Sequence, residues 1–426
     1  MENFEITGNK PLSGEITVSG AKNAATALIA ASLLFDGKTT LDNVPKIEDV
    51  NRMLEIMESM GSVAEWIGEN KLSIDNANID PTKMNSESVC KLRSSVLLIG
   101  SLINRFQTIK MPYPGGCQIG ARSFDTHILA LEKCGFVVKQ DEKFLYFEKT
   151  KDPLSEILLT EISVTATANV ILAMTVGKYK IKLLNADYGY SIQDLCTFLN
   201  KAGAKIKLVN SHDLEIKGVK NLKSIEYNVI PDPIETGTFI SLAAATKSNI
   251  TIKHTTVDFL RLEMEKFRLA NVDFEIKEVG KADHYKLVDI VIKASKLKAV
   301  KRVHDMPYPG FMSDLLPPFA VMMTQAEGTS LIHEWMYEGR LKYVNELIKM
   351  GADATICDPH RVIIVGPSKL TGQEMEMSDL RAGATLVIAA LVAEGKSKIS
   401  NIYQVDRGYE KIDLRLNLIG ADIKRI

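Results

Sequence analysis

Six times along this chain an amphipathic helical stretch runs into a glycine or asparagine, and a β-rich run follows. The stops are Gly61, Gly135, Gly203, Asn271, Gly351 and Gly420, spaced by about 70 residues. Gly and Asn enter the left-handed conformation that ends a helix at low cost, so their recurrence marks a repeated α/β unit rather than a run of unrelated segments. Within the first copy, Ala24 to Ala31 is too rich in alanine for a strand and suits a buried helix, and Lys38 to Leu41 follows as a strand. Asp49 to Met60 then places Val50, Met53, Ile56 and Met57 at helical spacing before Gly61. The same succession recurs at Thr165 to Lys207 and at Ala382 to Lys424, and Gln325 to Gly328 and Leu391 to Gly395 read as helix-to-strand stops. A helix that is apolar all round has to be buried, so three copies closing around their first helices form one domain. Six copies give two domains of similar size. Pro231-Asp232-Pro233, near the midpoint, disfavours both helix and central strand, and a crossing between domains is expected there.

The chain's 426 residues exceed what one hydrophobic core serves, and 46% hydrophobic content supplies two. Lys+Arg at 52 against Asp+Glu at 53 argues against a polyanion-binding surface, and hence against a nucleic-acid partner. No apolar run is long enough to cross a membrane and the first residues lack an export signal, so a cytoplasmic protein without membrane insertion is expected. Five cysteines (90, 117, 134, 196, 357), an odd set without C-x-x-C spacing, argue against a disulfide framework or structural zinc, and seven histidines show no metal-ligand pattern. Each cysteine is then a core filler or a functional thiol. No obligate protein partner is evident.

Met-Pro-Tyr-Pro-Gly occurs twice, at 111 to 115 leading to Cys117 and Arg122, and at 306 to 310 leading to Ser313 and Asp314. The pair suggests an internal duplication whose copies end in different reactive groups, a thiol beside a guanidinium and a carboxylate. A cleft between related domains could then hold an acid or nucleophile on one wall and a base on the other. Glycines flank Cys117 and permit close backbone approach to a ligand, although a glycine-rich turn with an incidental thiol fits the same residues. Lys22-Asn23 opens the first apolar helix, where an ammonium and backbone N–H groups could converge on an anion; a solvated lysine is the plainer alternative. Asp314 could be a base or a helix cap. Asp379-Leu380-Arg381 and Asp406-Arg407 pair a cap-like aspartate with an arginine, with a surface ion pair as the plain alternative. Five arginines beside inter-unit loops (93, 122, 340, 381, 407) together suggest a strongly anionic ligand.

Five segments carry a family resemblance: Ser-Gly-Ala-Lys-Asn-Ala (19 to 24), Pro-Gly-Gly-Cys-x-Ile-Gly-Ala-Arg (114 to 122), Pro-Asp-x-Ile-Glu-Thr-Gly-Thr-Phe (231 to 239), Asp-Leu-Arg-Ala (379 to 382) and Asp-Arg-Gly-Tyr-Glu (406 to 410). In order and over nearly the whole chain, they resemble the enolpyruvyl transferases that act on UDP-N-acetylglucosamine, relatives of the shikimate-pathway enolpyruvyl enzyme. The resemblance implies an α/β fold of two inside-out barrel domains, each of three repeated β/α units around buried helices. One domain would span 22–230 and carry the Cys117 loop; the other, 1–21 with 231–426, would carry Asp314, with the active site in the cleft between them. It also implies the first committed step of peptidoglycan precursor synthesis, in which the enolpyruvyl group of phosphoenolpyruvate passes to a sugar hydroxyl and phosphate leaves through a tetrahedral intermediate.

By the same resemblance Cys117 is the general acid, alkylated by fosfomycin in sensitive members, and Asp314 the base. Lys22 and Arg407 join them as catalytic residues and, with Arg122, clamp the phosphoenolpyruvate anion. Asn23, Arg93, Arg340, Asp379 and Arg381 are substrate-binding, as are Ser123, Phe124, Asp125, Thr126 and His127, then Ser163, Val164 and Thr165, and Met336. The partners implied are phosphoenolpyruvate and a UDP-sugar or related nucleotide, with no cofactor and no metal. The departures lie on the acceptor side. Glu161 begins a Glu-Ile-Ser-Val-Thr-Ala-Thr run that usually starts with Lys, Gly189-Tyr190-Ser191 replaces Glu-Pro-Glu, Leu316-Pro317-Pro318 replaces Gln-Ala-Gln, and Gly339 precedes Arg340 in place of Asn. Another uridine nucleotide or phosphorylated alcohol as acceptor, or a catalytically silent binding protein of the same fold, therefore remain alternatives.

Overall fold

A computed structural model describes residues 2–35, 37–115 and 124–426, so Cys117, Arg122 and Ser123 lie outside the described residues. All six expected helix stops stand at positive φ: 105° at Gly61, 95° at Gly135, 106° at Gly203, 60° at Asn271, 102° at Gly351 and 99° at Gly420. The repeat read from the sequence is therefore a repeat of backbone geometry, fixed where only Gly or Asn turns cheaply.

Two compact units result, one from Gly20 to Ile230 and the other from the residues up to Ser19 together with Pro231–Ile426. In the first, the helices Lys22–Ser32, Leu98–Arg105 and Val164–Thr175 form the centre; in the second, Pro233–Ala245, Leu316–Thr324 and Leu380–Val392 do so. Every residue of Pro233–Ala245 and Leu316–Thr324 is buried, which their composition requires because neither has a polar face to offer water. The outer helices are amphipathic: Glu48–Ser59 buries Val50, Met53, Ile56 and Met57. No helix among the described residues is long and apolar enough to cross a membrane.

Each full repeat follows one path. An edge strand leads into a buried helix, then a strand parallel to the first, then an outer helix and a hairpin whose second strand inserts between. Thus Glu156–Leu158 pairs in parallel with Lys180–Leu184, which pairs antiparallel with Asp213–Lys217, and that strand with Lys205–Asn210. Arg302–His304, Gly328–His333, Arg361–Gly366 and Asp353–Asp358 repeat the order. The beginning of the chain completes the second unit: Ser13–Thr17 is the edge strand beside Asn249–Thr255, and Phe4–Thr7 fills the central slot between Lys396–Ser400 and Asp422–Arg425. The edge strand of the first repeat comes instead from Glu226–Asn228, beside Thr39–Asp42. In the sheet of Thr108–Pro112, Phe144–Lys149 and Phe136–Gln140, the segment ahead of the buried helix forms the helical turns Pro81–Lys83 and Ser86–Lys91 rather than an edge strand.

Two sequence expectations are corrected by this path. The shared Met-Pro-Tyr-Pro-Gly does not mark equivalent positions. The first copy starts within the strand Thr108–Pro112, after a buried helix, whereas the second follows the edge strand Arg302–His304, ahead of one. Nor does Pro231-Asp232-Pro233 exclude a helix. Pro233 is the first residue of Pro233–Ala245, where its missing N–H costs nothing, and Asp232 caps it by accepting from the Ile234 N–H at 2.8 Å. The same logic admits Pro317 and Pro318 into the first turn of Leu316–Thr324.

Packing between buried helices is close enough to require glycine at position 100. A Cβ added there would lie 2.5 Å from the Asn169 carbonyl oxygen, and the Gly100 N–H donates to Asn169 Oδ1 at 2.8 Å. Gly100→Ala is expected to cost about 1–3 kcal/mol, read as a lowered urea midpoint. An unchanged midpoint would show that the two helices separate freely.

Candidate active site

In the second unit the starts of all three buried helices are tied together by polar side chains. Ser313–Leu315 is a single 3-10 turn ahead of Leu316–Thr324, and Asp314 makes no helix-cap bond from it. Instead its carboxylate takes two guanidiniums: Arg340 Nη2 donates to Oδ1, and Arg381 Nε donates to Oδ2 at 3.0 Å. Arg340 also donates to Ser313 Oγ at 2.6 Å. The Arg340 and Arg381 side chains are 2% and 5% exposed and that of Asp314 is 25% exposed, so two buried cations share one carboxylate that still reaches solvent. The capping role falls to Asp379, which accepts from the N–H groups of Arg381 at 2.9 Å and Ala382 at 3.1 Å. Arg381 then donates to the Tyr409 hydroxyl at 3.4 Å, and that hydroxyl is 2.9 Å from Thr238 Oγ1 on Pro233–Ala245.

Arg381 is thus no surface ion pair. Asp406 is paired with Arg425 through two bonds of 2.9 Å, and Arg407 Nη1 donates to Gln404 Oε1 at 3.2 Å. Met336 is half-buried, and its N–H donates to Asp305 Oδ2 at 3.4 Å. Gly339, the departure before Arg340, stands at φ 71°, a turn that glycine makes without strain.

In the first unit, Lys22 is the first residue of Lys22–Ser32 and is not solvated: its Nζ lies 2.5 Å from Asp49 Oδ2, with the two side chains 13% and 5% exposed. Asn23 donates to the Tyr190 hydroxyl at 3.1 Å, which gives the Gly189-Tyr190-Ser191 departure a structural partner. Arg93 stacks its guanidinium 4.1 Å from the centre of the Phe124 ring, and Phe124 sits 6.0 Å from the His127 ring. Asp125 is the exposed first residue of the helix Asp125–Lys133 that carries Thr126 and His127.

His127 is buried, and its surroundings fix its tautomer. Asn169 Oδ1 accepts from Gly100 and its amide nitrogen donates to the Val96 carbonyl, so the same nitrogen donates to His127 Nδ1 at 3.1 Å; Nε2 then donates to Thr165 Oγ1 at 3.1 Å. Burial, reinforced by the Arg93 charge, pushes the His127 pKa down to about 4, so the ring is neutral. Ser163 caps Val164–Thr175 through the Ala166 N–H, and Val164 is exposed. Glu161 accepts from Thr126 Oγ1 at 3.0 Å, so the acidic replacement is tied to a residue expected to bind substrate. Gly115, two residues before Cys117, packs so tightly that a Cβ would lie 1.9 Å from the Cys90 carbonyl oxygen. Burial pushes the Cys134 and Cys196 thiols up to about 12, as fits core fillers.

The residues expected at the site thus fall into two structural classes. Lys22, Arg93, Ser163, Asp314, Asp379 and Arg381 stand at or just ahead of buried-helix starts, where N–H groups and helix dipoles favour negative charge. Arg340 and Arg407 stand between a strand and the following outer helix. A model of the EPSP synthase (3-phosphoshikimate 1-carboxyvinyltransferase) family matches residues 6–416, nearly the whole chain. The chain belongs to the EPSP synthase family. Among its relatives, the UDP-N-acetylglucosamine 1-carboxyvinyltransferase of Bacteroides thetaiotaomicron is 40% identical over 439 aligned residues that span all of both chains. The protein of the same name from Borreliella burgdorferi is 38% identical, covering 100% of this chain and 99% of its own. The enolpyruvyl transferase NikO from Streptomyces tendae matches with a TM-score of 0.88 at 22% identity, over 100% of this chain and 99% of that one. An EPSP synthase from Acinetobacter baumannii matches with 0.77 at 18% identity over all of both chains. At such identities these structures speak for the fold: two units of three α/β repeats around buried helices.

Several contacts that hold the candidate residues were not legible in the sequence. Asp49, Ser313, Tyr190 and Asn169 hold Lys22, Arg340, Asn23 and His127 in place, each from 27 residues or more away, and no local pattern announces these pairings. Ser313 adjoins Asp314, and its neighbourhood was the available signal.

Proposed function

We propose that this chain transfers the enolpyruvyl group of phosphoenolpyruvate to the 3'-hydroxyl of UDP-N-acetylglucosamine with release of phosphate, the first committed step of peptidoglycan precursor synthesis. The observation that carries the proposal is that relatives at 38–40% identity, aligned end to end, bear this activity's name. In the proposed scheme Cys117 delivers a proton to the methylene carbon and the acceptor oxygen attacks the cationic carbon as Asp314 takes its proton; phosphate then departs from the tetrahedral adduct as the new methyl group gives a proton back to the Cys117 thiolate, which restores the carbon–carbon double bond. Asp314 is supported in this role by its two arginine partners, which hold the carboxylate in one orientation. A carboxylate has about four lone-pair sites, so two guanidiniums do not by themselves exhaust its capacity to accept a hydroxyl proton. Lys22, Arg122 and Arg407 would neutralise the carboxylate and phosphate of phosphoenolpyruvate, with Arg340 and Arg381 near the reacting carbon. In this reading the reaction would be cytoplasmic.

A second acceptor is favoured by one observation, the carboxylate of Glu161 tied to Thr126 on the side where a diphosphate would be bound. The test is phosphate release from phosphoenolpyruvate with UDP-N-acetylglucosamine, UDP, UMP and a phosphorylated sugar as acceptors. The highest kcat/KM is expected with UDP-N-acetylglucosamine. A higher value with a simpler uridine nucleotide would transfer the proposal to that acceptor, and no release with any would make the chain a binding protein.

A further inference from the structure

Behind Asp314 lies a buried polar cluster that the proposed scheme does not use. The parallel strands Arg302–His304 and Gly328–His333 end with His304 opposite His333, so Asp305 and Glu334 follow side by side. Asp305 is committed as an acceptor: its two oxygens take the N–H groups of Trp335 at 2.5 Å and Met336 at 3.4 Å. Glu334 is fixed by its backbone, whose N–H donates to the His360 carbonyl at 2.8 Å and whose carbonyl accepts from His360 Nδ1 at 2.7 Å. Asp305, Glu334, Arg340 and Tyr343 are all buried. Within the cluster Glu334 Oε1, Arg340 Nε and the Tyr343 hydroxyl have no hydrogen-bond partner among the described residues. Three such atoms around one arginine are uncommon, because buried polar groups are nearly always satisfied.

We propose that Glu334 is a positioning residue, a neutral acid that orients the Arg340 guanidinium and, through it, the Asp314 carboxylate. Its two ends serve opposite needs: the O–H turns to the Asp305 carboxylate, and the remaining oxygen is the acceptor that Arg340 Nε and the Tyr343 hydroxyl lack. Burial is the main reason the proton stays, pushing the Glu334 pKa up to about 9; the Arg340 charge opposes this, while Asp305 and Asp314 add to it. Asp379 adds negative charge at Arg340 and Tyr343. Ionised Glu334 would place a second negative charge beside Asp305 and draw Arg340 away from Asp314. The device therefore works below the pKa of Glu334 and fails above it.

This inference rests on the role proposed for Asp314, so its test has two independent readouts. In turnover, Glu334→Ala is expected to lower kcat by about 100-fold with KM little changed, as for misplacement of a reacting group. Glu334→Gln, which keeps the acceptor oxygen and cannot ionise, should stay within about threefold of wild type at pH 7 and lack the fall in kcat expected of wild type near pH 9. In thermal unfolding, the effects of Glu334→Ala and Asp314→Asn should be non-additive, because both act on Arg340. A Glu334→Ala enzyme within threefold of wild type, an alkaline limb unchanged in Glu334→Gln, or additive stability effects would each overturn the proposal. A wild-type protein inactive with every acceptor would sink the functional proposal instead, and the unfolding cycle would still decide this one.

Discussion

Asp314→Asn is expected to lower turnover by about 10²–10⁴-fold while changing the affinity for phosphoenolpyruvate by only a few fold. The amide keeps the shape of the carboxylate and one acceptor oxygen, but it cannot take a proton from an attacking hydroxyl. Asp314→Ala should be as inactive and also less stable. It leaves Arg340 and Arg381, both nearly inaccessible, facing each other without their shared anion. Removing one partner of a buried pair costs about 3–5 kcal/mol; because the Asp314 side chain is a quarter exposed, the lower end or less is expected here. Steady-state kinetics and melting curves on both variants separate the effects. An Asn variant with wild-type kcat would reduce Asp314 to an anchor for the two arginines.

Acid sensitivity should trace in large part to His127. Its pKa falls from an unfolded value near 6.5 to about 4 in the folded protein, so between those values the unfolded chain binds more protons and stability drops as pH falls. The contribution is complete above pH 6.5 and has disappeared by about pH 4, amounting to about 3 kcal/mol. Geometry gives the same sign. A proton on Nδ1 would face the Asn169 amide that donates to it, setting donor against donor within a network that joins two buried helices. His127→Gln removes the titrating group, so its stability relative to wild type should rise by that amount as the pH is lowered from 7 to 4. Parallel pH dependences for the two proteins would contradict the assignment.

How much of this could be read from the sequence depended on how local the cause was. The helix stops from Gly61 to Gly420 were legible because a left-handed residue is chosen by its own backbone. The buried helices were legible because a segment such as Ala24 to Ala31 has no polar face. The pairing of Phe4–Thr7 into the last repeat was not, since a four-residue strand carries no mark of a partner almost 400 residues away. The matching pentapeptides misled for the related reason that a short string fixes local turns but not a place within the repeat. Asp232 and Pro233 show the opposite error, a proline taken as a helix breaker where it starts one.

The candidate site divides in the same way. Asp314, Arg340 and Arg381 were each singled out by residue type, but their union in one ion-pair network spans 67 residues of sequence and only the fold creates it. Lys22 was expected in water or on a ligand and instead holds Asp49, a side chain with no signature beyond its place in a helix's first turn. Glu334 had no signal at all. A glutamate at a strand end reads as solvent-exposed until burial and its unpaired oxygen are seen.

The measurement closest to the central claim is the mass of the nucleotide recovered after incubating the protein with phosphoenolpyruvate and UDP-N-acetylglucosamine. The account predicts UDP-N-acetylglucosamine heavier by one carboxyvinyl group, formed in step with inorganic phosphate and not formed by Asp314→Asn. Unchanged UDP-N-acetylglucosamine would contradict it, whether phosphate is released or not.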